Sequence, residues 1–297
     1  MIAVSIIIPY HNRAELLNNL LLSIPDKEMI EIVLINDHSC KTLKIKRKFK
    51  FSKLVMVDND INSRYAGTAR NKGLSICSGE YIFFADSDDI IKSDGFIKCL
   101  ELIKNEKPEI FFAKLDSFSQ DGSRGSRHIN YNWLHYRVVN GASHNILARF
   151  VSPCAKFIRK EFIDKNKILF EKQKNSNDIF FSASLIIKKP VIKMVDEVVY
   201  SIREGNKSLT SDNSHCSTIS RLEALSRYNS LLKMNNLDYL MAPALPHLYK
   251  LVKRNIIMFV IQFIKILISR QPIFLTFWTL QNLVLRNWHN NKLIKKQ

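Results

Sequence analysis

Five short runs of apolar, β-branched or aromatic residues punctuate the first 115 positions of the chain. They lie at residues 4–8, 31–35, 54–57, 81–85 and 109–113. Their length and composition are typical of buried strands. Between them, apolar residues recur at helical spacing, as at residues 12–24 and 67–77. Strands that alternate with helices predict a mostly parallel sheet covered on both faces, with ligands bound at the carboxyl ends of the strands.

Further along the chain the pattern is less regular. Asn12 and Glu15 have capping-box spacing, which predicts that Asn12 caps the first helix. Residues 116–150 are polar and contain three glycines and scattered aromatics, which predicts long loops or a hairpin beside the site. Three more elements follow in the pattern: a helix at 178–187, a strand at 198–202 and an amphipathic helix at 218–236.

The last fifth of the chain is basic and apolar at once. From Tyr239 to Gln297 there are nine Lys or Arg residues and no Asp or Glu, and residues 271–285 form the longest uncharged stretch. That stretch is shorter than the roughly 20 residues that span a bilayer. Residues 245–297 are therefore expected to bind an anionic membrane surface. The alternative is a helical pair that packs on the preceding domain or on a second subunit.

Composition narrows the class of protein. The 297 residues carry 45 Lys and Arg against 27 Asp and Glu, and no nucleic-acid motif accompanies this excess, so no nucleic-acid partner is expected. Five scattered cysteines fit neither a disulfide framework nor a zinc site. Residues 1–9 lack the charged start of a signal peptide, and we expect a cytoplasmic protein, peripheral on the inner face of the cell membrane.

The most informative local feature is a carboxylate cluster after a buried strand. Asp86, Asp88 and Asp89 follow the run at 81–85 within four positions. Neighbouring carboxylates repel one another unless a cation neutralises them, and oxygen ligands favour Mg²⁺ or Mn²⁺. The alternative is an ordinary turn or helix cap with solvated acids.

Other polar residues follow the first two strands. Pro9, Tyr10 and Asn12 follow the first, and Asp37 follows the second. Asp37 could accept hydrogen bonds from a base or ribose, or simply begin a turn. Neither a GxGxxG nor a GxxxxGK[ST] sequence occurs, so metal and side chains would have to hold a phosphate.

Four motifs in order resemble the family 2 glycosyltransferases of the GT-A fold. They are VSIIIPYHN at 4–12, IVLINDHS at 32–39, ARNKG at 69–73 and GEYIFFADSDD at 79–89. The resemblance implies an inverting enzyme that uses a UDP-sugar with Mn²⁺ or Mg²⁺. It also implies nucleotide-sugar contacts for residues of all four motifs and metal ligation by two of the acids. The nucleotide-sugar set is Pro9, Tyr10, Asn12, Asp37, Arg70 and Asp86, and the metal set is Asp88 with Asp86.

A second block resembles bacterial surface-polysaccharide members of that family. It comprises PCAKFIRK at 153–160 and NDIFF at 177–181, and the match makes Asp178 the general base. Asn177 and Cys154 depart from the family's common Glu and aromatic residues. The basic segment at 203–210 adds Arg203 and Lys207 as diphosphate contacts.

Together these features predict an α/β protein with a Rossmann-like mixed sheet flanked by helices. The expected catalytic domain is 1–215, divided into a nucleotide-sugar part (1–115) and an acceptor part (116–215), and a helical extension follows at 216–297. The expected reaction moves a hexose to a hydroxyl of a lipid-linked saccharide in bacterial surface polysaccharide synthesis. The alternatives are a nucleotidyltransferase and a catalytically silent, membrane-docking saccharide-binding protein.

Overall fold

The computed structural model describes residues 2–40, 43–205, 212 and 214–294. The strands are β1 (Val4–Tyr10), β2 (Ile30–Asn36), β3 (Lys53–Asp58), β4 (Tyr81–Phe84), β5 (Ile90–Ile91), β6 (Ile110–Ser119), β7 (Lys156–Arg159) and β8 (Ile192–Glu204). The helices are α1 (Ala14–Ser23), α2 (Tyr65–Ile76), α3 (Ser93–Asn105), α4 (His128–Val139), α5 (Lys160–Asn166), α6 (Asn177–Ile187), α7 (His215–Met234), α8 (Leu245–Val252), α9 (Ile256–Ile268) and α10 (Phe277–Ile294).

The eight strands form one mixed sheet in the order β3-β2-β1-β4-β7-β6-β8-β5. Strands β3, β2, β1 and β4 are parallel, β7 is antiparallel to both β4 and β6, and β8 is parallel to β6. Strands β4, β6 and β8 therefore point the same way. Their carboxyl ends meet those of β1 and β2 at one edge of the sheet, where ligands bind in such folds.

The central strands are buried on both faces, which explains their continuous apolar runs. All seven residues of β1 are buried, as are all four of β4. Helix α2 approaches β1 closely at Gly73, where an added Cβ would lie 2.4 Å from Ile7 Cγ2. Because the strands and their crossover helices follow the apolar pattern so directly, the α/β prediction is confirmed.

Two local predictions were wrong. Residues 116–150 are not mainly loop, because β6 continues to Ser119 and α4 follows it, and the predicted hairpin is limited to the antiparallel pairing of Phe118 with Arg124. Helix α4 buries the polar side chains of His128 and His135, and this hides its apolar face in the sequence. The first helix begins at Ala14 without a side-chain cap, because the Asn12 side chain accepts a hydrogen bond from the Cys40 amide instead.

The carboxyl-terminal helices pack on the sheet domain while leaving apolar side chains exposed. The Tyr228 hydroxyl on α7 donates to the Ala148 carbonyl at 3.3 Å, and Arg149 Nη1 donates to the Leu240 carbonyl at 3.0 Å. On α9, large apolar side chains face outward: Ile256, Ile257, Val260, Ile261, Ile264, Leu267 and Ile268. No helix within the described ranges has both the length and the hydropathy to cross a membrane.

Candidate active site

The loops after β1 and β2 are tied to each other at the carboxyl edge of the sheet. The Asn12 amide donates to Ser39 Oγ at 3.0 Å, and the Cys40 amide donates to Asn12 Oδ1 at 2.8 Å. Pro9 and Tyr10 end β1 and are buried. The structure therefore brings Pro9, Tyr10 and Asn12 together with the loop that follows β2.

Asp37 organises the entry to α2. Its Oδ1 accepts a hydrogen bond from Asn59 Nδ2 at 2.9 Å, and its Oδ2 accepts one from the Tyr65 amide at 2.9 Å. Tyr65 has a φ of 80°, a left-handed conformation that this hydrogen bond helps to hold. Each carboxylate oxygen has a second lone pair, so Asp37 can still accept a hydrogen bond from a ligand.

Arg70 lies buried between two parts of the site. Its Nη2 pairs with Asp86 Oδ1 at 2.5 Å, and its Nη1 donates to Asn177 Oδ1 at 3.0 Å. The guanidinium also lies over the Phe170 ring, 5.1 Å from its centroid. The bridge joins the end of β4 to the start of α6. Asn177 accepts this hydrogen bond as a Glu carboxylate would.

The other two acids of the cluster have different environments. Asp88 forms an ion pair with Arg13, and burial together with the nearby Asp86 carboxylate raises the pKa of Asp88. Asp89 is buried, accepts hydrogen bonds from the Tyr200 hydroxyl and the Arg203 amide at 2.8 Å each, and has a raised pKa for the same two reasons. Asp89 therefore fixes the cluster to β8, while Asp86 and Asp88 remain partly exposed.

Asp178 occupies the first turn of α6 and is partly exposed. Desolvation raises the pKa of its carboxyl, against the opposing effect of Arg70, while Asp86 raises it further. The fully buried Lys156 also interacts with Asp178, and burial lowers the pKa of Lys156 to about 7. A carboxylate with a raised pKa is better suited to accept a proton near neutral pH than a fully solvated one.

The carboxylates of Asp86 and Asp88 suit a divalent cation that takes its remaining ligands from a phosphate group. Asp86 and Asp88 offer carboxylate oxygens, and their mutual repulsion favours a positive charge between them. Among the residues that the structure describes, no three His, Cys, Asp or Glu side chains form a ligand group. Mg²⁺ is commonly held by one or two carboxylates plus substrate phosphates, so two protein carboxylates suffice.

The basic segment is only partly within the structure. Arg203 Nε donates to the Asp88 carbonyl at 3.1 Å, and its guanidinium lies over the Phe118 ring, 4.9 Å from the centroid. Arg203 therefore lies beside the carboxylate cluster, and its contact with a diphosphate stays a prediction. Lys207 lies outside the described residues.

Sequence reasoning missed the residues that connect the site. Arg13 pairs with Asp88, Tyr200 accepts a hydrogen bond from the Asp86 amide at 2.7 Å, and Phe170 lies beneath Arg70. These residues are 75, 114 and 100 positions from their partners, so no local spacing could find them. The one available signal was a tyrosine hydroxyl in the otherwise apolar strand around residue 200, which needs a buried partner.

The comparisons with known proteins agree with this geometry. The sequence model described as Glycosyl transferase family 2 matches residues 5–166. A poly(ribitol-phosphate) beta-glucosyltransferase of Bacillus spizizenii is 32% identical over 126 residues, covering 40% of this chain and 20% of that protein. The poly(ribitol-phosphate) beta-N-acetylglucosaminyltransferase TarP of Staphylococcus aureus is 26% identical over 214 residues, covering 67% of this chain and 62% of TarP.

A solved structure extends the likeness to the fold. The crystal structure of S. aureus TarS 1-349 in complex with UDP-GlcNAc has a TM-score of 0.64 and 21% identity, covering 85% of this chain and 73% of that chain. The chain spans less than two thirds of either curated relative. The family match nevertheless includes more than half of its residues and all the strand ends from β1 to β4. The chain therefore belongs to glycosyl transferase family 2 and has the GT-A fold.

Proposed function

We propose that the protein is an inverting glycosyltransferase that moves a hexose from a UDP-sugar to a hydroxyl of a lipid-linked saccharide in bacterial surface polysaccharide synthesis. The observation that carries this proposal is the bridge through Arg70. It links Asp86, at the expected nucleotide-diphosphate position, to the helix turn that holds Asp178. A donor-binding acid and a candidate base are thus held in one electrostatically coupled cluster.

In the proposed reaction, Asp178 accepts the proton of the acceptor hydroxyl. The hydroxyl oxygen attacks the anomeric carbon of the donor from the face opposite the diphosphate. A new carbon–oxygen bond forms, the bond to the diphosphate breaks, and UDP leaves with the electron pair, so the anomeric configuration inverts. The raised pKa of Asp178 favours its role as proton acceptor.

The remaining residues of the site hold the donor. Pro9, Tyr10, Asn12 and Asp37 frame the nucleoside at the linked ends of β1 and β2. Asp86 and Asp88 would hold Mn²⁺ or Mg²⁺, which when bound neutralises charge on the departing diphosphate. Arg203, beside the cluster, would contact the diphosphate, and Lys207 is proposed as a second contact from the sequence alone.

The relatives suggest which substrates to test first. TarS is solved in complex with UDP-GlcNAc, and TarP is named for N-acetylglucosamine transfer to poly(ribitol-phosphate). UDP-GlcNAc is therefore the first donor for this chain, and a polymeric surface glycan is the first acceptor. Because Asn177 preserves the hydrogen bond to Arg70, its presence gives no reason to prefer a catalytically silent protein.

We further propose that α8–α10 bring the enzyme to the inner membrane face. The outward apolar side chains of α9 are flanked by four exposed basic residues, Lys253, Arg254, Lys265 and Arg270. Of these, Lys253 also lies over the ring of Tyr249. Anionic lipids attract such clusters. In a sedimentation assay, the protein should sediment with phosphatidylglycerol vesicles and not with neutral phosphatidylcholine vesicles. Equal binding to both kinds of vesicle would refute an electrostatic contribution.

UDP release from UDP-GlcNAc in the presence of an acceptor and Mn²⁺ tests the reaction. Asp178→Asn should lose transfer while it still binds UDP-GlcNAc, since the residue acts on the acceptor. Asp164→Asn is a matched control, because Asp164 lies exposed on α5 in a surface pair with Lys160. Near-normal transfer by Asp178→Asn would contradict the base assignment. Release of pyrophosphate in place of UDP would identify a nucleotidyltransferase.

A further inference from the structure

A cavity with both polar and apolar walls lies beside the carboxylate cluster, on the side away from β1 and β2. Its volume is about 710 Å³, and its walls come from β5, the carboxyl half of β6, β8 and the first turns of α4. This volume is within the roughly 300–1,000 Å³ typical of small-molecule sites. None of the residues assigned to the nucleotide or the metal lines it.

Topology places this cavity next to the proposed reaction centre. Strands β6 and β8 point the same way as β4, so their carboxyl ends share its edge of the sheet. Ile90 and Lys92 line the cavity two and four positions after Asp88. Phe118 also lines it, and Arg203 lies over the Phe118 ring while donating to the Asp88 carbonyl. Arg203 therefore separates the cavity from the carboxylates.

The cavity contains an acceptor atom that needs a donor. Asp116 Oδ2 pairs with Lys92 Nζ at 3.2 Å. Asp116 Oδ1 has almost no exposed surface and no hydrogen-bond partner within the described part of the chain, while the Asp116 side chain as a whole is 40% exposed. A buried oxygen without a partner is costly, so a hydroxyl or water that donates to it would be strongly favoured.

The lining favours a hydroxyl-rich ligand over the other classes. Asp116 is its single carboxylate, too few ligands for a cation site. Lys92 and the exposed Arg124 supply donors, and Asp116 supplies an acceptor, which is the mixture that sugar and polyol hydroxyls require. His128 is held by Ser117 Oγ at 2.8 Å, and burial lowers its pKa, which keeps the ring from adding positive charge at neutral pH.

We propose that this cavity is a subsite for a sugar or polyol unit of the acceptor, next to the unit whose hydroxyl reacts, with the Asp116 carboxylate accepting a hydrogen bond from one of its hydroxyls. This assignment rests on the proposed glycosyl transfer. It gives the chain a means to select the acceptor that is independent of the residues that bind the donor. Such a subsite favours a polymer over a monosaccharide, because only a polymer fills both positions.

The test combines kinetics with two cavity variants in the full chain. Asp116→Asn keeps the shape of the side chain but removes its charge, and Lys92→Gln removes the charge of its half-exposed ion-pair partner. Asp196→Asn is the matched control, because Asp196 also pairs with a lysine, Lys114 at 2.8 Å, but lies outside the cavity. With UDP-GlcNAc and a poly(ribitol phosphate) oligomer, both cavity variants should raise the acceptor KM about tenfold, the loss expected for one hydrogen bond to a charged group.

The kinetic constants for the donor, and the acceptor KM of the Asp196→Asn control, should not change. The KM for UDP-GlcNAc and the kcat at saturating acceptor should stay within about twofold in all three variants, a difference of less than about 0.5 kcal/mol. An unchanged acceptor KM in Asp116→Asn and Lys92→Gln would overturn the subsite. An equal rise in the donor KM would also overturn it, because the cavity would then serve the donor.

A binding measurement separates failure of the subsite from failure of the proposed function. Ligand-observed saturation-transfer NMR uses chitobiose and ribitol 5-phosphate as probes and needs no turnover. If the parent protein releases no UDP, the proposed function fails. The cavity would still be supported as a saccharide or polyol site if a probe shows saturation transfer with the parent protein and with Asp196→Asn but not with Asp116→Asn. No saturation of either probe in the parent would overturn it.

Discussion

Replacement of Arg70 by Met tests the bridge at the centre of the site. The substitution keeps an unbranched side chain of similar length on α2 but removes the guanidinium. Asp86 then loses its ion pair at 2.5 Å and Asn177 loses its hydrogen bond at 3.0 Å. The contact with the Phe170 ring becomes one between a thioether and an aromatic ring, which remains favourable.

The expected loss of stability follows from how much of each contact is buried. The Arg70 side chain is 6% exposed, whereas Asp86 is 42% exposed and can be rehydrated. Removal of one partner from a fully buried pair costs about 3–5 kcal/mol, and exposed pairs contribute about 0–1 kcal/mol. Because only one partner of this pair is buried, we expect Arg70→Met to lower the free energy of unfolding by about 2 kcal/mol, between those two limits.

Urea unfolding followed by circular dichroism measures this difference. Lys72→Met is the matched control, because Lys72 lies on the same helix, pairs with Asp60 at 2.8 Å and leaves an aspartate that is 61% exposed. Its unfolding free energy should change by less than about 0.5 kcal/mol, as for a surface pair. Equal changes in the two variants would refute the claim that Arg70 is a buried bridge.

Three other predictions concern packing, protonation and catalysis. Gly73→Ala should destabilise the protein by about 1–3 kcal/mol, because its Cβ would collide with Ile7; Gly205→Ala, with open space around it, should change the urea midpoint little. Burial lowers the pKa of His247 from 6.5 to about 4. The neutral ring therefore contributes fully to the free energy of unfolding above about pH 6.5, and this contribution is lost as the pH falls toward 4. Between roughly pH 7.5 and 5, the free energy of unfolding should therefore fall by about 2 kcal/mol less in His247→Gln than in the parent protein. An unchanged pH profile would argue against a buried neutral ring. Asp178→Asn should still bind UDP-GlcNAc when binding is measured by calorimetry. Loss of that binding would show that Asp178 contributes to donor binding.

The sheet was predictable because its signals are local. Each central strand is an apolar run bounded by polar residues, and β1, β2 and β4 appear where the runs at 4–8, 31–35 and 81–85 place them. The carboxyl-edge position of Asp86 and Asp88 follows from strand direction alone. The resemblance to the family adds the order of the motifs, which the family match confirms.

The connections across the site were not predictable because they join distant parts of the chain. The family resemblance assigns Arg70 to the nucleotide sugar, but its contacts with Asn177 and Phe170 become visible only in the fold. Helix α4 was missed because its buried face mixes His128 and His135 with Trp133, Leu134 and Val138, which breaks the apolar pattern in the sequence. The cavity around Asp116 depends on the extension of β6 and on α4 together, so neither element alone could indicate it.

One measurement tests the central claim most directly: UDP release by the purified protein from a panel of UDP-sugars, with and without Mn²⁺, EDTA and a bacterial lipid-linked glycan extract. The account predicts release from one sugar, UDP-GlcNAc being the first to test, that requires both the metal and the extract and disappears in Asp178→Asn. Silence across the panel from folded protein would contradict it, as would release that Asp178→Asn leaves unchanged.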